Sequence, residues 1–529
     1  MPNINLSGVP PQGASRSPPP FELTPQQKDA INFCLDPRAG NAILTAVAGS
    51  GKTSTLIEIC KVLSGSVAFA AFNKKIADEI GRKLLDAGVP KNVKASTFHS
   101  FGFQSWLRVA PRIIVEAKKS DILMDYLSLP RNLRGFCATL VSIAKQAGVG
   151  IPSVCKLNDY MAYDAIVEHH DLRDKLFAAN RSLTFSQVDD LVGQGIEWAQ
   201  KLLLASIEDN TTRIDFDDML YAPLYHQSSF WQNDWVLVDE AQDTNPVRRM
   251  LAEAMLKRNG RLMAVGDPHQ AIYGFTGASA DALDQIRATF NAIELPLTVS
   301  FRCPQAVVRH AQQWVSHIEA APSAAEGSVS FMDKTVFMQR IPDKTDAIIC
   351  RNTKPLIQLA LFYIRRGVAA HVEGRDIGQS LLALVNRWRQ PRTVAEFRVC
   401  LGEYTLSEME RLSERGEDAK IEQLQDRVES IYAIMETLRD DDPIERVADK
   451  INSIFKDTEG RDVQSITLST IHKAKGREWN RVFFYGRNIY NPSPFARQLW
   501  QIEQENNLIY VGITRAKQEL VEVVLEGRE

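Results

Sequence analysis

Apolar and polar positions alternate along this chain in blocks. Short apolar runs recur between stretches of helical periodicity: NAILTA (41–46), VAFAAF (67–72), WVLVDE (235–240) and RLMAVGD (261–267), then DAIICR (346–351), SITLST (465–470) and RVFFYG (481–486). Strands that alternate with helices predict parallel sheets in an α/β fold, and there are enough runs here for two sheets. Two stretches lack strong strand patterns, 106–212 and 379–461, and are expected to be helical insertions. In the second, Ile421, Leu424, Val428, Ile431, Met435 and Leu438 recur at helical spacing, a stripe expected to pack on its own domain rather than on a partner. No internal repeat is visible.

The first run leads into AVAGSGKTST (46–55), which nearly spells the phosphate-loop pattern G-x-x-x-x-G-K-[ST]. Ala46 stands where the pattern begins with glycine. That position only starts the turn, so a methyl is tolerated if its φ is negative. Gly49 and Gly51 let the backbone of Ala48, Gly49, Ser50 and Gly51 curl until its N–H groups face phosphate oxygens, at the positive end of the helix that TSTLIEICKVL predicts. Lys52 would reach the β- and γ-phosphates, and the Thr53 hydroxyl would ligate Mg²⁺. Downstream, the strand WVLV delivers Asp239 and Glu240 in DEAQD. A carboxylate at a strand end facing a phosphate loop suits a second Mg²⁺ contact, and a neighbouring glutamate can orient or deprotonate the attacking water.

DEAQD is followed by VGDPHQAIYGFTGA (265–278), LTVSFRCP (297–304), STIHKAKGREW (469–479) and YVGITRA (510–516). In content and order these resemble the motifs of UvrD/Rep-like superfamily 1 DNA helicases, from LTPQQKDAI (23–31) onwards. AFNKKIA (71–77) and STFHSF (96–101), with GDPHQ and SFR, resemble the helicase part of the F-box DNA helicases. The resemblance implies two RecA-like domains with ATP and Mg²⁺ between them. It assigns Gln27 to the adenine edge, Phe301 to adenine stacking, Glu478 to the ribose and Gln270 to the γ-phosphate. Arg302 and Arg515 match two arginines that reach the γ-phosphate from the second domain, so that hydrolysis depends on closure. Phe72, Asn73, Thr97, Phe98, His99, Tyr273, Phe275, Thr470, His472 and Lys473 match positions that track single-stranded DNA. Four residues depart from the usual pattern: Ser54 replaces an arginine beside the adenine, Ala71 a DNA-contacting Phe, Thr276 an arginine linking nucleotide to DNA, and Asn507 an arginine ahead of YVG.

The chain has 529 residues, 44% hydrophobic and 24% charged, with net charge −3, which argues against a tail-driven nucleic-acid binder but not against a locally basic cleft. Its seven cysteines include no C-x-x-C pair, so neither a zinc site nor a disulfide framework is expected, and a reducing cytoplasmic setting is. No membrane segment is legible. The expected organisation is a disordered leader (1–21), a first RecA-like domain (22–105 and 213–297) with one insertion (106–212), and a second (298–378 and 462–529) with a smaller insertion (379–461). By resemblance the protein is a helicase moving 3′ to 5′ on single-stranded DNA and at single-strand/duplex junctions, a monomer as motor unit, in repair, recombination or replication. Two alternatives stand: a translocase that displaces proteins with little unwinding, and a non-enzymatic helicase-like binding subunit. A GTPase is disfavoured, since no N-K-x-D or T-K-x-D motif follows the loop.

Overall fold

The computed structural model describes residues 23–170, 172, 185–272, 281–388, 391–413, 418–455, 465–494, 496 and 498–526. The expected leader, Tyr273, Phe275 and Thr276 lie outside the described residues. Two six-stranded sheets form the frame. The first runs Val93–Thr97, Val67–Ala71, Asn233–Val238, Leu256–Gly266, Ala42–Ala46, Ile293–Leu297, every pair parallel. The second runs Ser328–Asp333, Ala516–Val524, Trp479–Tyr485, Asp346–Cys350, Ile466–Thr470, Ala370–Val372, again all parallel.

All seven apolar runs form strands of these sheets. The strands that the pattern did not announce are edge or charged ones. Val93–Thr97 and Ile293–Leu297 bound the first sheet; the former is mostly half-buried and the latter mostly exposed. In Ala516–Val524 the apolar rhythm is interrupted by Glu522, which is buried because His310 Nε2 lies 2.7 Å and Arg487 Nη2 2.7 Å from its carboxylate.

Parallel pairing brings strand C-termini to one edge of a sheet, and there the loops that carry chemistry collect. Register places the end of Ala42–Ala46 beside that of Leu256–Gly266 (Thr45 opposite Gly266), with Val238 opposite Ala264. The phosphate loop, Asp239 and Asp267 therefore emerge together.

Helices cover both faces. One face of the first sheet (Ile43, Ala70, Val236, Ala264) shares a core with the first insertion (Phe136, Leu140, Ile196, Leu203). The other packs on Pro25–Leu35, Lys52–Val62 and Lys74–Asp86. The second insertion does not build a core apart from its host. Leu424, Val428 and Ile431 from its helix Asp418–Met435 join Ile348, Leu356, Leu468 and Phe483 of the second domain. The stripe read from the sequence is thus an intradomain seam, and Asp426 accepts from the backbone N–H groups of Thr353 and Lys354 (2.9 and 2.8 Å) at the start of helix Thr353–Arg365.

The first insertion is tied to its sheet by a fully buried ion cluster. Lys119 Nζ lies 2.7 Å from Asp218 Oδ2 and also donates to the Ser206 carbonyl and Asn210 Oδ1; Lys145 Nζ lies 2.7 Å from both Asp215 and Asp218. Removing one member of such a set strands the others without water. Asp218→Ala is expected to cost about 3–5 kcal/mol, read as a lowered melting midpoint. Lys61→Ala, which breaks an exposed pair with Glu58, is expected to stay within about 0.5 kcal/mol. Equal losses would contradict the burial argument.

Candidate nucleotide site and strand-facing surface

Ala46 is buried at the end of its strand and is not among the residues of positive φ, so its methyl is accommodated as the loop argument requires. Gly49 (φ 75°) and Gly51 (φ 77°) are left-handed. A Cβ on Gly49 would sit 2.6 Å from Arg302 Cβ and 2.8 Å from Ser300 Oγ, so glycine there serves both the turn and the approach of the second domain. Helix Lys52–Val62 begins with no side-chain cap, leaving its first N–H groups to face the loop's concavity. Ser50 Oγ is buried there with no hydrogen-bond partner.

Thr53 Oγ1 donates to Asp239 Oδ2 at 3.0 Å, and Lys52 Nζ lies 3.4 Å from Glu240 Oε2. Burial opposes the charge on Lys52, but Glu240, Asp267 and Asp239 outweigh it and raise its pKa. Asp239 is pushed up to about 6, first by burial and then by the charge of Glu240. Burial would raise Glu240 as well, yet Lys52 and Lys475 bring it down to about 2, so it stays ionised. Glu240 is a non-glycine residue at φ 51° and ψ 46°, a strained conformation held by Gln242 Nε2 donating to its carboxylate. Gln242 Oε1 accepts from the Asp267 N–H, and Asp267 in turn accepts from Gln270 Nε2 at 2.7 Å. A divalent ion would find one hydroxyl and one carboxylate here, both oxygen donors of the kind such an ion takes.

The second domain contributes two guanidinium groups. Arg302 Nε donates to Glu478 Oε2 at 2.8 Å. Arg515 is 1% exposed and is held by oxygens alone, donating to the carbonyls of Val511 and Arg477 and to Thr514 Oγ1; no carboxylate lies in ion-pair range among the described residues. Burial, then the neighbouring Arg302, lowers its pKa to about 9. Two cations side by side, one paired with Glu478 and the other, Arg515, with no carboxylate in range among the described residues, suit an anionic ligand. Phe301 takes up the Gly49 carbonyl through its backbone N–H (2.9 Å) and leaves its ring 40% exposed at the rim. Gln27 is engaged at both ends of its amide: Nε2 donates to Thr55 Oγ1 at 2.9 Å, and Oε1 accepts from the Thr24 N–H at 3.0 Å. It braces the loop from behind, so the adenine contact expected of it requires one of these bonds to be exchanged. Ser54 is exposed on the helix beside the loop.

Residues 23–291 match the UvrD/REP helicase N-terminal domain family, and residues 377–526 the UvrD-like helicase C-terminal domain family. The chain belongs to the UvrD-like helicases. It is 25% identical to the ATP-dependent DNA helicase UvrD2 of Mycobacterium tuberculosis, over 94% of this chain and 77% of that protein. Identity to the F-box DNA helicase protein 1 of Schizosaccharomyces pombe is 23% over 94% of this chain and 57% of that protein. Identity to the ATP-dependent DNA helicase Rep of Buchnera aphidicola is 21% over 94% of each.

In this UvrD-like helicase the two sheets meet at the loop. Val47, Ala48 and Ile272 join the core of the second domain, the Ala48 N–H donates to Tyr510 Oη (2.9 Å), and Lys475 Nζ reaches Asp243 Oδ2 and the Gln270 carbonyl (both 2.7 Å). Lys475 and Tyr510 lie inside the quoted motifs, yet sequence reasoning gave neither a role, because both act across the domain boundary.

The strand-facing candidates divide. Asn73 and Thr97 cap helices Lys74–Asp86 and Phe98–Trp106, accepting from the N–H groups of Ile76 and Ser100; Thr470 likewise caps Ile471–Ala474 through Lys473. Phe72 is half-buried with the Arg248 guanidinium 4.9 Å above its ring. Ala71 is buried in its strand, where no DNA can touch it. Phe98 corrects the expectation: it is 3% exposed in the core shared with the first insertion, so its ring has no face to offer a base. Burial, then Arg248, lowers His99 to about 4; burial, then Arg351, Lys473 and Lys475, lowers His472 to about 3. In both imidazoles burial and the neighbouring cations favour the neutral form, which keeps one N–H to donate. The cations beside them are Arg248, Arg351 and the exposed Lys473. Arg248 carries no local signal in the sequence.

Phe98→Ala is expected to lower stability by about 3–5 kcal/mol in thermal melts. Phe72→Ala is expected to leave the melt unchanged and to weaken single-strand binding by about 1–3 kcal/mol in a titration. The reverse pattern would reinstate Phe98 as the strand contact.

Proposed function

We propose that this protein is an ATP-dependent DNA helicase that moves 3′ to 5′ along single-stranded DNA. The carrying observation is the pair Arg302 and Arg515, presented by the second domain, without a carboxylate for Arg515, against a loop that carries Lys52 and faces Asp239 and Glu240. Thr53 and Asp239 would hold Mg²⁺, which when bound would supply positive charge against that developing on the phosphate oxygens. Lys52 neutralises the same oxygens. Glu240, kept anionic by Lys52 and Lys475, is set to accept a proton from the attacking water, and Gln270 to orient it.

In this conformation Arg302 is occupied by Glu478. A ribose hydroxyl competing for Glu478 would free Arg302 to turn toward the γ-phosphate, which ties hydrolysis to a correctly seated nucleotide. Hydrolysis removes the anion that draws the two domains together, and alternate grip on the strand converts opening and closing into a step.

A second reading is favoured by one feature, the second insertion. It shares its host domain's core, and among the described side chains its helices Val394–Ser413 and Asp418–Met435 expose Glu396, Glu403, Glu410 and Glu429, with only the half-buried Arg398 and Arg427 as cations of their own. Such a surface repels duplex phosphates. A translocase that displaces proteins with little unwinding would look like this.

ATP hydrolysis with and without single-stranded DNA is the first test. Stimulation by DNA is expected, and Lys52→Ala is expected to lower the stimulated rate by at least about a hundredfold. Forked duplexes with a 3′ or a 5′ tail, run beside displacement of a bound protein, separate the two readings. Unwinding from the 5′ tail alone would refute the stated direction.

A further inference from the structure

By the resemblance drawn from its motifs, Asn507 replaces an arginine, and the change would be expected to break the link between DNA and nucleotide. The geometry points to a different outcome: we infer that Asn507 is a positioning residue that sets Gln270 according to whether the two domains are closed. It lies on helix Leu499–Ile513 of the second domain, 7% exposed. Its Nδ2 donates across the cleft to the carbonyls of Ala271 (3.1 Å) and Pro268 (3.3 Å). These two carbonyls lie on either side of Gln270, at the start of the turn Pro268–Gln270 and just past its end, and the Gln270 carbonyl itself is taken by Lys475. An amide nitrogen has two protons and here both have acceptors, so the contact specifies direction as well as distance.

The helix that presents Asn507 is itself fixed. Two residues upstream, Glu505 is buried and paired with Arg351 (Nη2 to Oε1, 2.9 Å), and it also accepts from the Ser493 N–H at 3.0 Å. Three residues downstream, Tyr510 takes the Ala48 N–H of the phosphate loop. Arg351 ends the strand next to Ile466–Thr470 and lies close enough to His472 to lower its pKa, which puts the anchor beside the strand-facing surface. Asn507 thus sits between the DNA-facing edge of the second domain and the turn that holds Gln270. A neutral, short amide keeps this contact without adding a third cation beside Lys475 and Arg515.

The inference rests on the proposed role of Gln270 in hydrolysis, and its test keeps the two apart. Asn507→Leu has nearly the same shape and removes both donors without burying a charge. It is expected to lower the DNA-stimulated kcat roughly tenfold while leaving the affinity for a non-hydrolysable ATP analogue unchanged and the protein folded in a thermal melt. In a cycle with Gln270→Ala, the double variant is expected to be no slower than Gln270→Ala alone. Additive losses, or equal losses with and without DNA, would overturn the inference. If the unmodified protein fails to hydrolyse ATP at all, the proposed function itself falls.

Discussion

The phosphate loop is confined from both sides. Behind it, Gln27 and helix Pro25–Leu35 brace the backbone; in front, Arg302 and Ser300 of the second domain come so close to Gly49 that a single added carbon would collide. A loop that binds anions with its own amides must stay bare of side chains on its concave side, and a site that closes from across a cleft imposes the same demand from outside. Everything else in the centre is arranged around that bare backbone: the strand ends that bring Asp239 and Asp267 alongside, and the guanidinium groups that approach from the other sheet.

The molecule contains two kinds of buried charge, and contrast separates structure from function. Around Lys119 and Lys145 every cation has a carboxylate or carbonyl at bonding distance, and the cluster holds an insertion to its sheet. Around the loop the balance is left incomplete. Arg515 has only neutral oxygens, Asp239 is raised toward neutrality, and Glu240 sits in a strained backbone conformation. Folding alone does not favour such an arrangement. It makes sense where a triphosphate and a divalent ion complete the set.

Closure is carried by three different interactions at one seam. Apolar contact of Val47, Ala48 and Ile272 is non-directional and brings the halves together; the Tyr510 and Lys475 bonds fix their register; Asn507 grips the Gln270 turn. The second insertion is fused into its host's core, so the two form one packed unit behind the second sheet.

The fold and the nucleotide half of the site were legible in the sequence because both depend on local order: apolar runs flanked by helices specify parallel strands, and a loop of two glycines before Lys52 and Thr53 specifies an anion cradle wherever it lies. The edge strands Val93–Thr97 and Ile293–Leu297 escaped notice because they are half-buried or exposed and carry little apolar rhythm, and Ala516–Val524 because a buried glutamate with two partners reads as a surface residue. Tertiary structure alone decided that Phe98 is core, that burial disfavours charge on His99 and His472, and that Asn507 crosses the cleft. Each of those depends on which atoms from distant segments surround the side chain, and burial and long-range hydrogen bonds leave no trace in the spacing of residues along a chain.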